Sequence, residues 1–331
     1  MSLPSRFVER LNRYIKAGCY TLRIENLLYS KVQDKDVIIL FHSVLDEERP
    51  NINIRNTSTA TFEKIISYLS KYFSVVSLSE LVSVPGNRPR IAITFDDGLI
   101  NNLRYAVPVL EKYAAPATIF ITTTYLRGES ILWPDRWSLL SYRLRDDIVF
   151  ENQTYRKSAH NTFRNKKTGE KLTDVFLRTN PEVRESFFKS IGNQLNYNPA
   201  DDREFEDLSR IMKGEEIRLL SQSPVISIGS HCVSHENLLL LSSAEVLEEL
   251  TESKRYLEQV QPKTIDSIAF PFGLYNKNIM ELAEKTGYRI QLAVNYLHND
   301  DKKDPRIHDR IGLYNDLTVF EQIDKIQRAL R

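Results

Sequence analysis

Unbroken apolar runs alternate with stretches of helical periodicity along most of the chain. Val37-Ile38-Ile39-Leu40-Phe41 contains no polar position, and its β-branched residues predict a strand covered on both faces. Arg90-Ile91-Ala92-Ile93-Thr94-Phe95, Ala117-Thr118-Ile119-Phe120-Ile121, Val225 to Ile228, Ile268-Ala269-Phe270 and Ile290 to Val294 predict further strands, and Val75-Val76 a short one. Between them, residues 61–73 place Phe62, Ile65, Ile66 and Leu69 at helical spacing, and residues 79–82 form a short helical turn. Residues 102–113, 244–259, 276–286 and 317–329 predict four more helices. Ser242 or Ser243 suits the cap of the 244–259 helix, and Gly287 suits the left-handed position that ends the 276–286 helix. Strand, helix and strand in repeated succession predict an α/β protein with a parallel sheet or barrel.

The alternation breaks over residues 125–214, which are rich in charge and aromatic residues and poor in strand-length apolar runs. A mostly helical insertion is expected there, because an unstructured loop of that length is rare in a folded domain. Tyr125, Trp133 and Trp137 open it, and suit either stacking on sugar rings or a packed insertion core. Apolar residues between Arg6 and Leu28 have broadly helical spacing, weakened by Gly18. This reads as a helical extension packed on the main domain. The basic residues Arg6, Arg10, Arg13, Lys16 and Arg23 offer the alternative of peripheral contact between residues 6–28 and an anionic membrane. The expected organisation is an extension over 1–34, a main domain from 35–124 and 215–331, and an insertion over 125–214.

Composition narrows the function classes. Hydrophobic residues make up 41% of the 331 and charged residues 27%, which suits a soluble globular chain with a sizeable core. The 45 basic and 44 acidic side chains nearly cancel, so the strong basic bias of a nucleic-acid binder is missing. Cys19 and Cys232 cannot form a disulfide framework for a chain this long, which suits a reducing compartment. Neither an apolar leader nor a membrane-length apolar run occurs, so the expected location is the cytoplasm, with membrane association only through the N-terminal stretch.

Two polar motifs follow predicted strands. In Thr94-Phe95-Asp96-Asp97-Gly98, adjacent carboxylates at the end of a buried strand repel each other unless a cation or proton settles them. Taken alone, such a pair also suits a solvated turn before a helix. In Gly229-Ser230-His231-Cys232-Val233-Ser234-His235, two histidines four apart suit one face of a helical turn and a shared metal. Cys232 between them reads as a small buried residue rather than a ligand. Two histidines and one carboxylate leave positions open for water and substrate, and the spare carboxylate is free to act as a base. His160 and His298 carry no motif and read as surface residues.

The two motifs, in this order, resemble those of the polysaccharide deacetylases with NodB homology, carbohydrate esterase family 4. Residues 94–98 reproduce that family's T-F-D-D-G without a change, and His231 to His235 follow its H-[ST]-x-x-H with Cys232 at the Ser/Thr position. The resemblance runs from about Val37 to Leu317, interrupted by the insertion. It implies a distorted (β/α) barrel of about seven parallel strands. It also implies one divalent metal, zinc with cobalt or nickel as alternatives, held by Asp97, His231 and His235, with Asp96 as catalytic base. The third motif, R-x-P-[YF], reads Ala269-Phe270-Pro271-Phe272 here, so the arginine that orients the base in many relatives is absent. Pro271 and Phe272 would line the groove, with the Phe272 N–H facing the oxyanion and His42 on the same rim. His308 is the candidate general acid, although a L-P-R-I pattern near the last strand aligns equally with His308-Asp309-Arg310-Ile311. The implied activity is removal of N-acetyl groups from a glycan, or from a lipid-linked or nucleotide-linked precursor in surface-polysaccharide assembly. Ala269 and Cys232 keep open a catalytically impaired carbohydrate-binding relative, and an O-acetyl esterase is the further alternative.

Overall fold

Strand β1 (Val37–Phe41) is buried along its whole length, as its unbroken apolar run requires. The structure is a computed structural model that describes residues 35–330, apart from positions 48, 50, 51, 54, 87, 88, 159 and 160. The expected extension over 1–34, its helix at 6–28, Cys19 and His160 lie outside the described residues. After β1 come the short strands β2 (Ser43–Leu45) and β3 (Asn56–Ser58), helix α1 (Thr59–Tyr72), β4 (Ser74–Val75), α2 (Leu78–Ser83) and β5 (Arg90–Phe95). A π-helical turn, Asn102–Ala106, leads into α3 (Val107–Lys112) and β6 (Ala117–Ile121). The sequence predicts one helix over 102–113. Pro108, early in α3, has no N–H to donate, and Asn101 is engaged with Ser43 Oγ, Val44 N–H and the Asp207 carbonyl, so the regular ladder starts late.

Residues that follow form α4 (Trp133–Arg143), strands β7 (Ile148–Phe150), β8 (Gln153–Lys157) and β9 (Phe163–Asn165), then α5 (Leu172–Phe176), α6 (Pro181–Leu195) and α7 (Glu206–Ser209). The antiparallel sheet β7-β8-β9 is an addition to the expected helices. Trp133, Trp137, Phe150, Phe163, Phe176 and Phe188 share one apolar cluster, so the two tryptophans are core residues rather than a free sugar platform. The βα pattern resumes with α8 (Gly214–Leu220), β10 (Ile226–Ser230), α9 (Ser243–Val260), β11 (Ser267–Ala269), α10 (Lys277–Thr286) and β12 (Ile290–Leu292). It closes with β13 (Ile307–His308), β14 (Ile311–Gly312) and α11 (Val319–Ala329). Gly287 ends α10 at φ 97°, in the left-handed region expected of it.

The main sheet runs β13-β12-β11-β10-β6-β5-β1-β14, with β4 also on β5, and all its pairings are parallel. Its two end strands are separated in the chain by Asp309 and Arg310 alone. One stretch of chain therefore pairs first with β12 and then with β1, and the sheet curls round on itself. Counting that stretch as a single strand gives seven round the curl, the expected distorted (β/α) barrel. Alternation sorts the side chains. Ile39, Phe41, Ile93, Phe95, Ile119 and Ile121 pack with Phe62, Ile65, Ile66 and Leu69 of α1, each burial being worth about 2 kcal/mol. Ile38, Ala92, Phe120, Ala269 and Leu292 form a separate cluster from the alternate positions. No helix among the described residues is long and apolar enough to cross a membrane.

Candidate metal centre and groove

Four strands deliver site residues to one rim. Asp96 and Asp97 follow β5, His231 follows β10, His42 follows β1, and Pro271 and Phe272 follow β11 by two and three residues. This is the C-terminal edge of the parallel strands, where side chains from successive loops converge. The loop positions are fixed by backbone bonds: Asp96 N–H to the Phe41 carbonyl at 3.1 Å, Thr122 N–H to Asp97 at 3.2 Å, and His231 N–H to Ile121 at 2.9 Å. Asp97 turns through φ 73° into Gly98 at φ 77°. A Cβ on Gly98 would lie 2.9 Å from the Ile121 backbone, so both the conformation and the close approach require glycine.

His231 and His235 converge, but through a loop rather than the helical turn expected. Cys232 at φ 64° and His235 at φ 54° reverse the chain between the two rings. Glu249 of α9 holds this loop by accepting the N–H groups of Val233 and Ser234 at 2.8 and 2.9 Å. Cys232 is buried and burial raises its thiol pKa, with Glu249 adding to the rise, as for a small core residue. The His235 Nε2 stands 3.3 Å, and the His231 Nε2 3.6 Å, from Asp97 Oδ1. That oxygen is buried with no hydrogen-bond partner. Asp97, His231 and His235 offer ligand atoms within 4.8 Å of one another, a donor set suited to a divalent cation with open positions. The Ala269 carbonyl lies 2.7 Å from His231 Nδ1. A carbonyl only accepts, so Nδ1 carries the proton and Nε2 presents its lone pair to the cluster.

Each carboxylate has its own arginine, and neither arginine was anticipated. Arg310, between β13 and β14, makes two 2.7 Å bonds to Asp96 Oδ1 and Oδ2. It also donates to the Ala293 carbonyl at 3.0 Å and to Thr94 Oγ1 at 3.4 Å. Arg310 thus supports Asp96 where Ala269 stands in place of the motif arginine. Burial opposes the charge on Asp96, but Arg310 and His231 outweigh it and hold its pKa below the usual carboxylate range. Arg55 reaches Asp97 Oδ2 at 3.2 Å and Asp135 Oδ1 at 2.8 Å. Burial is again the largest influence on Asp97, yet Arg55 and the two histidines bring its pKa well down. Asp135 behaves in the opposite way: burial pushes its pKa up to about 6, with Asp97 adding to the rise.

The remaining expected residues divide. Phe272 adopts φ 59°, and its ring stands edge-on to His235 at 4.5 Å and tilted against Trp133 at 5.4 Å, so it belongs to the cluster. Pro271 is buried in the same turn. His42 is within electrostatic reach of Asp97, Arg55, Asp96 and Arg310, and burial draws its pKa down to about 4. His308 does not join them. Its strand pairs on one side through Ile311 with Ile39, and on the other through His308 with Leu292, the last residue of β12. His308 lines a cavity of about 320 Å³ with Lys35, Asp36 and Val37. Its charged neighbours are Asp309 and Asp304 rather than Asp96 or Asp97. His298 lies on a turn near Asp301 and is also apart from the site.

The polysaccharide deacetylase family matches residues 83–191 and 190–291. The chain belongs to that family. Over 65 residues, 20% of the chain, it is 34% identical to the Bacillus subtilis relative YxkH, and the matched stretch spans only 23% of that protein. The fold is similar to the Streptococcus pyogenes deacetylase PplD, solved with acetate, at a TM-score of 0.57 and 15% identity over 90% of this chain and 98% of that one. It is also similar to IcaB from Ammonifex degensii, at a TM-score of 0.55 and 15% identity over the same shares, 90% and 98%.

Proposed function

We propose that the chain is a metal-dependent N-deacetylase of an N-acetylated glycan or glycan precursor. The observation that carries this reading is the convergence of Asp97, His231 and His235 on a partnerless carboxylate oxygen, with the ionised Asp96 beside them. A divalent cation on those three ligands, zinc or else cobalt or nickel, supplies Lewis-acid activation of water and of the acetyl carbonyl. Asp96 accepts the proton of the attacking water, and its bidentate pairing with Arg310 keeps it ionised and aimed. The backbone N–H of Phe272, in the turn beside His235, would donate to the oxygen that becomes negative as the amide is attacked. Hydrolysis of the C–N bond leaves hydroxyl on the acetyl carbon and a proton for the sugar nitrogen. Asp96 passes that proton on to the departing nitrogen, and His42, whose pKa burial draws down to about 4, stands on the same rim.

Acetate release from N-acetylated and O-acetylated oligosaccharides, with zinc, cobalt or nickel added, tests this reading. The expected result is acetate from the N-acetylated set. Release only from the O-acetylated set would make the protein an esterase on the same fold, and release from neither would overturn the proposal.

A further inference from the structure

Two metal ligands differ in how they are held. His231 is oriented by its own ring, through Nδ1 and the Ala269 carbonyl. His235 has no such partner, since its Nδ1 is buried without a hydrogen bond. A metal-binding imidazole ordinarily needs that second contact to fix its ring. What holds His235 comes from elsewhere. Trp133 Nε1 donates to the His235 carbonyl at 3.2 Å, within buried surroundings. The Phe272 ring packs between the Trp133 and His235 rings. Trp133 is fixed in turn by Arg184, whose guanidinium lies 4.3 Å from the indole centroid and pairs with Glu236, next to His235.

Two residues after Trp133, on the same first turn of α4, stands Asp135. It accepts from Arg55 at 2.8 Å and from Asn53 at 3.1 Å, and Arg55 continues to Asp97. One helical turn outside the barrel therefore reaches two of the three metal ligands by separate routes.

We infer that the first turn of α4 is a brace for the metal centre, with Trp133 positioning His235 and Asp135 positioning Asp97 through Arg55. The inference rests on the proposed metal site. Asp135 draws the Arg55 cation away from the metal aspartate and shares it, so that Arg55 orients Asp97 without displacing the metal. The Trp133 N–H holds the left-handed backbone of His235 in place of the missing ring contact. The insertion then serves as a structural part of the metal centre.

The test is zinc affinity of the full chain, measured by competition with a chromophoric chelator, for Trp133→Phe, Asp135→Asn, Arg55→Met and the Arg55→Met/Asp135→Asn double variant. Trp133→Phe keeps an aromatic ring while losing the indole N–H donor and some ring volume, and Asp135→Asn is nearly isosteric, so both are chosen to fold. Each is expected to weaken zinc binding about 10- to 100-fold. In the Arg55→Met background Asp135→Asn should change affinity by less than about 2-fold, because the route it acts through is gone. A merely structural role would give the same loss in both backgrounds. Wild-type affinity in both single variants, or full additivity in the double variant, overturns the brace. A wild-type protein that takes up no zinc overturns the proposed metal site itself, and the brace with it.

Discussion

Asp96→Asn is expected to reduce acetate release about 10²- to 10⁴-fold while leaving zinc bound, because it removes the base and none of the three ligands. The substituted side chain keeps the shape of the carboxylate but cannot accept the proton of the attacking water. Asp97→Asn should behave differently. Asp97 Oδ1 is the oxygen both imidazoles face, so its replacement should remove metal and turnover together. The two variants separate the roles of adjacent residues when zinc content and acetate release are measured side by side. Metal loss in Asp96→Asn, with metal retained in Asp97→Asn, would reverse the assignment.

Arg310→Met should cost both stability and rate. The Arg310 side chain is fully buried and that of Asp96 is 4% exposed, so removing the cation leaves a buried carboxylate unpaired. Breaking such a pair costs about 3–5 kcal/mol. The pKa direction follows from the balance at Asp96. Burial raises it and Arg310 lowers it; without Arg310 burial dominates, and the carboxyl pKa rises. In the native protein the depressed pKa contributes stability above the unfolded value that is lost as pH falls through the folded one. The variant should therefore lose stability most near neutral pH, and the acid limb of its rate profile should move to higher pH. Lysine should not restore either property, since a single ammonium cannot make the paired bonds of the guanidinium. Denaturant unfolding at two pH values and a pH–rate profile check both effects. A stable variant with an unmoved acid limb would show that Arg310 does not support the base.

The contrast between Arg310 and Asp96-Asp97 shows what the sequence discloses. The main-sheet strands are legible because burial on both faces forces unbroken apolar runs such as Val37–Phe41. The carboxylate pair and the two histidines are legible because each directly follows such a run. Arg310 is not, because the contact it makes to Asp96 spans 214 residues and arises only when the sheet curls until its ends meet. A lone arginine between Ile307 and Ile311, in the pattern Arg310-Ile311, was the signal available. Ala269 suggested a missing function; the barrel supplies the same charge from another strand. The sequence does not show which way the His308 ring faces; in the structure it lines a cavity with Lys35, Asp36 and Val37. Arg55 lies in a turn with no periodicity to mark it. The β7-β8-β9 sheet escaped notice because its strands are three to five residues long, and Gln153–Lys157 is mostly exposed.

Zinc stoichiometry, read by native mass spectrometry on the full chain and on Asp97→Asn, tests the central assignment most directly. One ion per wild-type chain, lost on Asp97→Asn with the fold intact by circular dichroism, is the predicted result. No ion on the wild type, or an ion that survives Asp97→Asn, would contradict it.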